Sequence, residues 1–212
     1  MSFDPRDDFT NVVDGLQPVT LLRPGSFEST SVKHALRRSI RTREAQPADG
    51  QYTASDVAWH LPDSEVSDPP RPGDLIVDSQ MRRWTILRVR QATLGGRWRC
   101  VARDLALAHG LDQTICIDKA TYEKSESGAA QPTWRLWLAG VRARIQPLVQ
   151  QHEARHERLA SACAFRVFVA DDLPIDHTCR IRGPQGETYR VLGYRKAQRI
   201  DALGEIDVEL ES

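Results

Sequence analysis

Cysteine is sparse in this 212-residue chain, lysine is nearly absent, and neither sign of charge is in excess. The four cysteines, Cys100, Cys116, Cys163 and Cys179, stand far apart and form no CxxC pair. That spacing argues against a disulfide framework or a cysteine metal site and leaves buried free thiols, in a reducing, cytoplasmic folding environment, as the expectation. Lys plus Arg and Asp plus Glu number 29 each. A dedicated nucleic-acid binder usually carries a basic excess, so the balance argues against one. No apolar run approaches the length needed to cross a bilayer. The opening MSFDPRDDFT is acidic and polar and lacks the apolar stretch of a secretory signal. Also missing are a GxSxG nucleophile elbow and a glycine-rich phosphate loop; Gly95-Gly96 falls between strands, not before a helix.

What is present is arginine and alternation. Lysine occurs only at Lys33, Lys119, Lys124 and Lys196, so most cations are guanidinium groups suited to bidentate pairing with carboxylates. The stretch from Pro72 to Leu107 reads as a three-strand antiparallel meander over Leu75–Val77, Trp84–Val89 and Trp98–Leu105. Trp84, Ile86 and Leu87 or Val89 share a face, and Trp98, Cys100 and Ala102 alternate with Arg99 and Arg103. Period-two alternation between turn residues is the mark of a half-buried sheet.

Upstream, Val19–Arg23 and Val57–Leu61 read as strands, while Ser31–Ile40 fits a strand pair or a short helix. Arg41–Gln51 and Lys119–Gln131 read as long polar loops. Downstream, Thr133–Leu138, Val141–Ile145 and Phe165–Val169 read as strands. Gln150–Ala164, without Gly or Pro, is the best helix candidate. A final meander covers Cys179–Arg182, Tyr189–Tyr194 and Glu205–Glu211, the last alternating acidic and apolar residues.

The two meanders repeat each other. Trp84–Arg90 aligns with Tyr189–Arg195 at a shift of 105, which also sets Ile76 on Ile181. Trp98–Ala102 is matched to Ile206–Leu210, Val57–Leu61 to Phe165–Val169, and VTLLR to WRLWL. Four elements in one order predict a tandem duplication of a small antiparallel β-barrel or sandwich, with domains at 1–112 and 113–212 and a short helix at least in the second.

One short motif points to chemistry. His152-Glu153-Ala154-Arg155-His156 is an HExxH on the expected helix. At i and i+4 the imidazoles could bind zinc, with Glu153 as base and His177 or Glu187 as third ligand. Arg155 and Glu157 sit in and beside the motif, flanked by Gln150, Gln151 and Arg158. Such a solvated face lacks the dry cavity and supporting hydrogen bonds of a metallopeptidase. The expectation is no enzyme, cofactor or metal, with a zinc hydrolase as the alternative. Trp59, Trp84, Trp98, Trp134 and Trp137 fall on strand faces and are expected in cores. A barrel gripping single-stranded nucleic acid through them is a third reading. Arg37, Arg38, Arg41, Arg43, Arg142, Arg144, Arg180 and Arg182 fit the wet faces of strands, or the lining of a DNA channel.

The repeat resembles the phage head–tail adaptor family, the head-closure or head-completion proteins. The residues that carry the resemblance are Ala143–Pro147, the helix candidate Gln150–Ala162, FRVFV, and CRIRGPQGETYRVLGYRKAQRIDALGEIDVELE. In the first half they are PGDLIVDSQMRRWTILRVRQATLGGRWRCVARDL. The resemblance implies a virion protein, in the host cytoplasm during assembly. Its copies would form a ring with portal or adaptor and tail proteins, pass double-stranded DNA without reading its sequence, and contact no membrane. Family members usually carry one such unit; this chain carries two.

Overall fold

The structure, a computed structural model, describes residues 9, 13–26, 28–40, 53, 55–92, 95–124, 130–148 and 164–211. The first six strands are β1 (Leu16–Leu22), β2 (Ser29–Ser39), β3 (Asp56–Pro62), β4 (Leu75–Asp78), β5 (Arg83–Gln91) and β6 (Arg97–Arg103). They close into an antiparallel barrel in the order β1-β2-β3-β6-β5-β4. The next six are β7 (Gln113–Lys124), β8 (Ala130–Pro147), β9 (Ala164–Val169), β10 (Cys179–Arg182), β11 (Thr188–Arg195) and β12 (Gly204–Leu210). They close a second barrel in the order β7-β8-β9-β12-β11-β10. Strand for strand, that is the same winding. The chain is mainly β, two small antiparallel barrels in tandem.

Residues 1–108, with Arg199–Asp201, group as one unit; 109–198 and 202–212 form the other. The boundary expected after residue 112 thus lies four residues beyond the observed division.

Alternation fills each interior. Val19, Leu21, Val32, Trp59, Leu61, Ile76, Trp84, Ile86, Cys100 and Ala102 make the first core. The Trp59 and Trp84 rings meet edge to face, with centroids 6.2 Å apart. Ile115, Ile117, Val141, Val167, Val169, Ile181, Tyr189, Val191, Ile206 and Val208 make the second. Each fully buried aliphatic side chain there contributes roughly 2 kcal/mol. Cys100 and Cys179 are buried free thiols and Cys116 is half-buried; Cys163 lies outside the described residues.

The register confirms the repeat at its best-matched elements. Ile76 pairs with Trp84, and Ile181 pairs with Tyr189, at the expected shift of 105. A β-bulge follows in both barrels, leaving Leu87 unopposed in β5 and Leu192 in β11. The extra residue resets the alternation, so the next core positions are Val89 and Tyr194.

Other matches need correction. Ala102 and Val208 hold equivalent places, opposite Ile86 and Val191, as do Cys100 and Ile206. The expected pairing of Trp98 with Ile206 is therefore two residues out of step. VTLLR corresponds not to WRLWL but to Ile115–Lys119, because Leu21 opposes Ile76 as Ile117 opposes Ile181. The segment expected as a polar loop from Lys119 continues a strand, β7. Thr133–Leu138 and Val141–Ile145 are one strand, β8, carried through register shifts and a positive-φ Gly140 (φ 73). Ser31–Ile40 belongs to the single strand β2. Leu105, expected at the end of a strand, starts the four-residue helix α1 (Leu105–Ala108). A 3-10 turn lies at Asp63–Glu65. The loop 41–51 is outside the described residues, as is most of the helix candidate at 150–164; Ala164 opens β9.

Candidate interaction surface

The second barrel carries an extension that the first does not. β10 pairs with β7 only as far as Lys119, yet β7 and β8 continue together from Ala120 opposite Trp134 to Lys124 opposite Ala130. In the first barrel the equivalent strand ends at Leu22, and its partner β2 begins at Ser29. The extra pairs make a two-stranded arm. Strand alternation puts Ala120 and Tyr122 on one face with Pro132, Trp134 and Leu136, and puts Lys119, Thr121, Thr133 and Arg135 on the other. Tyr122 is 60% exposed and Leu136 58%.

Charge gathers where the arm meets the barrel. The Arg180 guanidinium lies over the Trp134 ring, 4.7 Å from its centroid, and Lys119 lies 5.2 Å from that of Trp137. The Asp118 carboxylate, buried among them, accepts from Arg180 Nε at 3.1 Å and from Arg182 Nε and Nη2 at 2.9 Å each. Burial pushes its pKa up, but hydrogen bonds from Arg182 and Arg180 outweigh this and hold it below the ordinary range. Lys119 and Arg135 stand directly opposite each other across the strands.

In the first barrel, buried carboxylates are likewise held by arginines. Asp56 accepts from Arg103 Nε at 2.7 Å and Nη2 at 2.9 Å, and from the Thr53 hydroxyl at 2.9 Å. Asp78 accepts from Trp84 Nε1 at 3.1 Å and Arg82 Nε at 3.0 Å. Arg37 lies over both Trp59 and Trp84. Asp74 accepts from Arg23 Nε and Nη2, each at 3.2 Å, and Arg23 also pairs with Asp68. These arginines pair with carboxylates, several of them buried, the use expected from their excess over lysine. Among the described residues, the large shifts of Cys100 and His60 lead away from neutrality. Burial pushes the Cys100 thiol up to about 12, and burial with Arg97, Arg99 and Arg38 takes His60 down to about 4.

His152, Glu153 and His156 lie outside the described residues. His177 is exposed, and the Glu187 carboxylate accepts from the backbone N–H of Gln185 at 2.9 Å. Among the described residues no group of three His, Cys, Asp or Glu side chains could hold a metal ion. No family model matches this chain, and no curated protein does either. No described helix is long and apolar enough to cross a membrane.

The tryptophans answer the nucleic-acid reading. Trp59 and Trp84 are buried at 0% and 4%, and Trp98 and Trp137 pack against the two cores. Trp134 stands apart on the arm. Of the alternating arginines, Arg142 Nε donates to the Leu111 carbonyl at 2.7 Å and Arg144 Nη1 to that of His109 at 2.9 Å. The acidic residues of β12 meet arginines on the neighbouring strands. Arg166 Nε donates to Asp207 at 2.8 Å, Arg190 Nη2 to Glu209 at 2.5 Å, and Arg195 reaches Glu205 at 2.8 Å. Sequence reasoning missed the arm. Its signal was TICIDKATYEK, whose Ile115 and Ile117 alternate as in a strand, but Lys119, Glu123 and Lys124 read as loop polarity.

Proposed function

We propose that this chain is a structural contact subunit, a head–tail connector of a phage or prophage that joins portal and tail in a ring around the DNA path. The observation that carries the proposal is the repeated barrel. One winding and one bulge position recur in the two halves, on the residues that resemble the adaptor family. The ion-paired outer strands and the projecting arm favour contact over chemistry. Any contact with passing DNA is with phosphates and is sensitive to salt.

Reading the genes beside this one and co-purifying their products with the chain tests the proposal. Neighbours encoding portal, capsid and tail proteins, one of which retains the chain on a column, are the expected result. Unrelated neighbours, or stoichiometric zinc in the purified protein with hydrolysis lost in His156→Ala, would contradict it.

A further inference from the structure

The first barrel buries side chains on its outside. β6 turns Cys100 and Ala102 into the core, so Arg97, Arg99 and Val101 point outward. Ala58 and His60 flank the inward Trp59 on β3 and point outward too, and Leu36 stands opposite His60 on β2. Yet Leu36, Ala58 and Val101 are only 6%, 3% and 1% exposed and belong to neither core. The second barrel differs. At the places equivalent to Ala58, Val101 and Leu36 it has Arg166, Asp207 and Arg144, all partly exposed, and Arg166 donates to Asp207. An apolar strip replaces the charged residues of the duplicate, and such a strip on the outside of a barrel is favourable only under a cover.

The chain ahead of β1 reaches this face at two points. A Cβ at Gly15 would stand 4.0 Å from Leu36 Cδ1. Phe9 is itself buried, and the outward Arg97 guanidinium lies 5.2 Å from its ring centroid. Leu36 is on β2 and Arg97 on β6, with β3 between them, a separation of about 10 Å by strand spacing. The chain from Phe9 to Gly15 reaches up to about 20 Å when extended, enough to cross β3 over the apolar strip. Next to β6 lies β5, where Arg90 is outward and exposed, opposite Arg99. Arg38, Arg97 and Arg99 gather around His60. The rim of the strip is therefore basic, and the residues that precede Phe9, MSFDPRDD, hold Asp4, Asp7 and Asp8 against Arg6. Segment and face match in charge as well as in apolar character.

We infer that the segment ahead of β1 is a strap seated across the outer face of β2, β3 and β6 of its own barrel, with Phe9 as its apolar anchor and Asp4, Asp7 and Asp8 on the arginine rim. The strap closes an apolar strip that would otherwise be open to neighbouring molecules. Hydrogen exchange on the full chain tests this, together with a fluorescent peptide copying residues 1–12. The amides of Arg6, Asp7 and Asp8 should exchange about tenfold or more slowly in the chain than in the free peptide. Phe9→Ala should return them to the free rate while Ile76 and Ile86 stay protected, and this variant, unlike the unmodified chain, should then bind the peptide. Adding Arg90→Glu and Arg97→Glu to that variant should abolish the binding, and a peptide with Asp4, Asp7 and Asp8 replaced by lysine should recover it. Free-rate exchange in the unmodified chain, protection that survives Phe9→Ala, a peptide bound by both chains or by neither, or protection that rises with chain concentration would each overturn the inference.

Discussion

Asp56 has a side chain with no exposed surface, and Arg103 closes over it with two hydrogen bonds. Asp56→Ala takes two hydrogen bonds from a buried guanidinium that Asp201 also approaches at 4.0 Å, so chemical denaturation should show a loss of about 3 kcal/mol. Replacing both partners by apolar residues of similar volume should cost much less. Burial raises the Asp56 pKa, but hydrogen bonds from Arg103 and Thr53 bring it below its ordinary 3.8. Its stabilisation is fully present above that value and is lost as the pH falls through the lower folded one. His60 acts over a higher range. Unfolded, it titrates near 6.5; folded, burial and then Arg97, Arg99 and Arg38 hold it down to about 4. Between those values the unfolded chain binds the extra proton, so stability falls as the pH drops from 6.5 towards 4. Its buried Nδ1 has no hydrogen-bond partner among the described residues. His60→Phe should flatten that limb of a stability–pH curve, and an unchanged slope would show that another group titrates there.

At the scale of single elements, legibility followed how strictly a strand alternated. β10 was read to the residue because Cys179 and Ile181 alternate with Arg180 and Arg182 between turn signals. β5 was readable up to Leu87, where the bulge gives the next core place to Val89 and leaves two candidates on paper. The continuation of β7 past Asp118 is hard to read because Lys119 and Thr121 on one face and Tyr122 on the other are exposed, so apolar alternation fades there. Gly140 broke β8 on paper, whereas in the fold its positive φ carries the strand through an irregularity. A Cβ at Gly140 meets nothing within 4 Å, so Gly140→Ala should cost only the backbone strain, about 1 kcal/mol. The arm itself gives a cleaner test. Replacing residues 120–134 with the first barrel's turn, residues 23–28, should change stability by no more than about 1 kcal/mol, the size of the lost Arg180–Trp134 contact. Partner binding should be lost in the same variant.

At the scale of the whole molecule, duplication was legible because the second meander keeps the spacing of the first over its most apolar elements. Ile76 with Trp84 and Ile181 with Tyr189 fix the same register with almost no shared identity. The matches that slipped were those where one barrel differs from the other, at the arm and at the shifted irregularities of the first hairpin. Two barrels of one design in one chain give a subunit with two sets of outer strands, and among the described residues the arm belongs to the second set. Electron microscopy of the chain mixed with the portal and tail proteins encoded beside it is the most direct measurement. A closed ring between portal and tail, built from subunits of two barrels each, is the expected image; a chain that attaches to neither protein under those conditions would contradict the connector role.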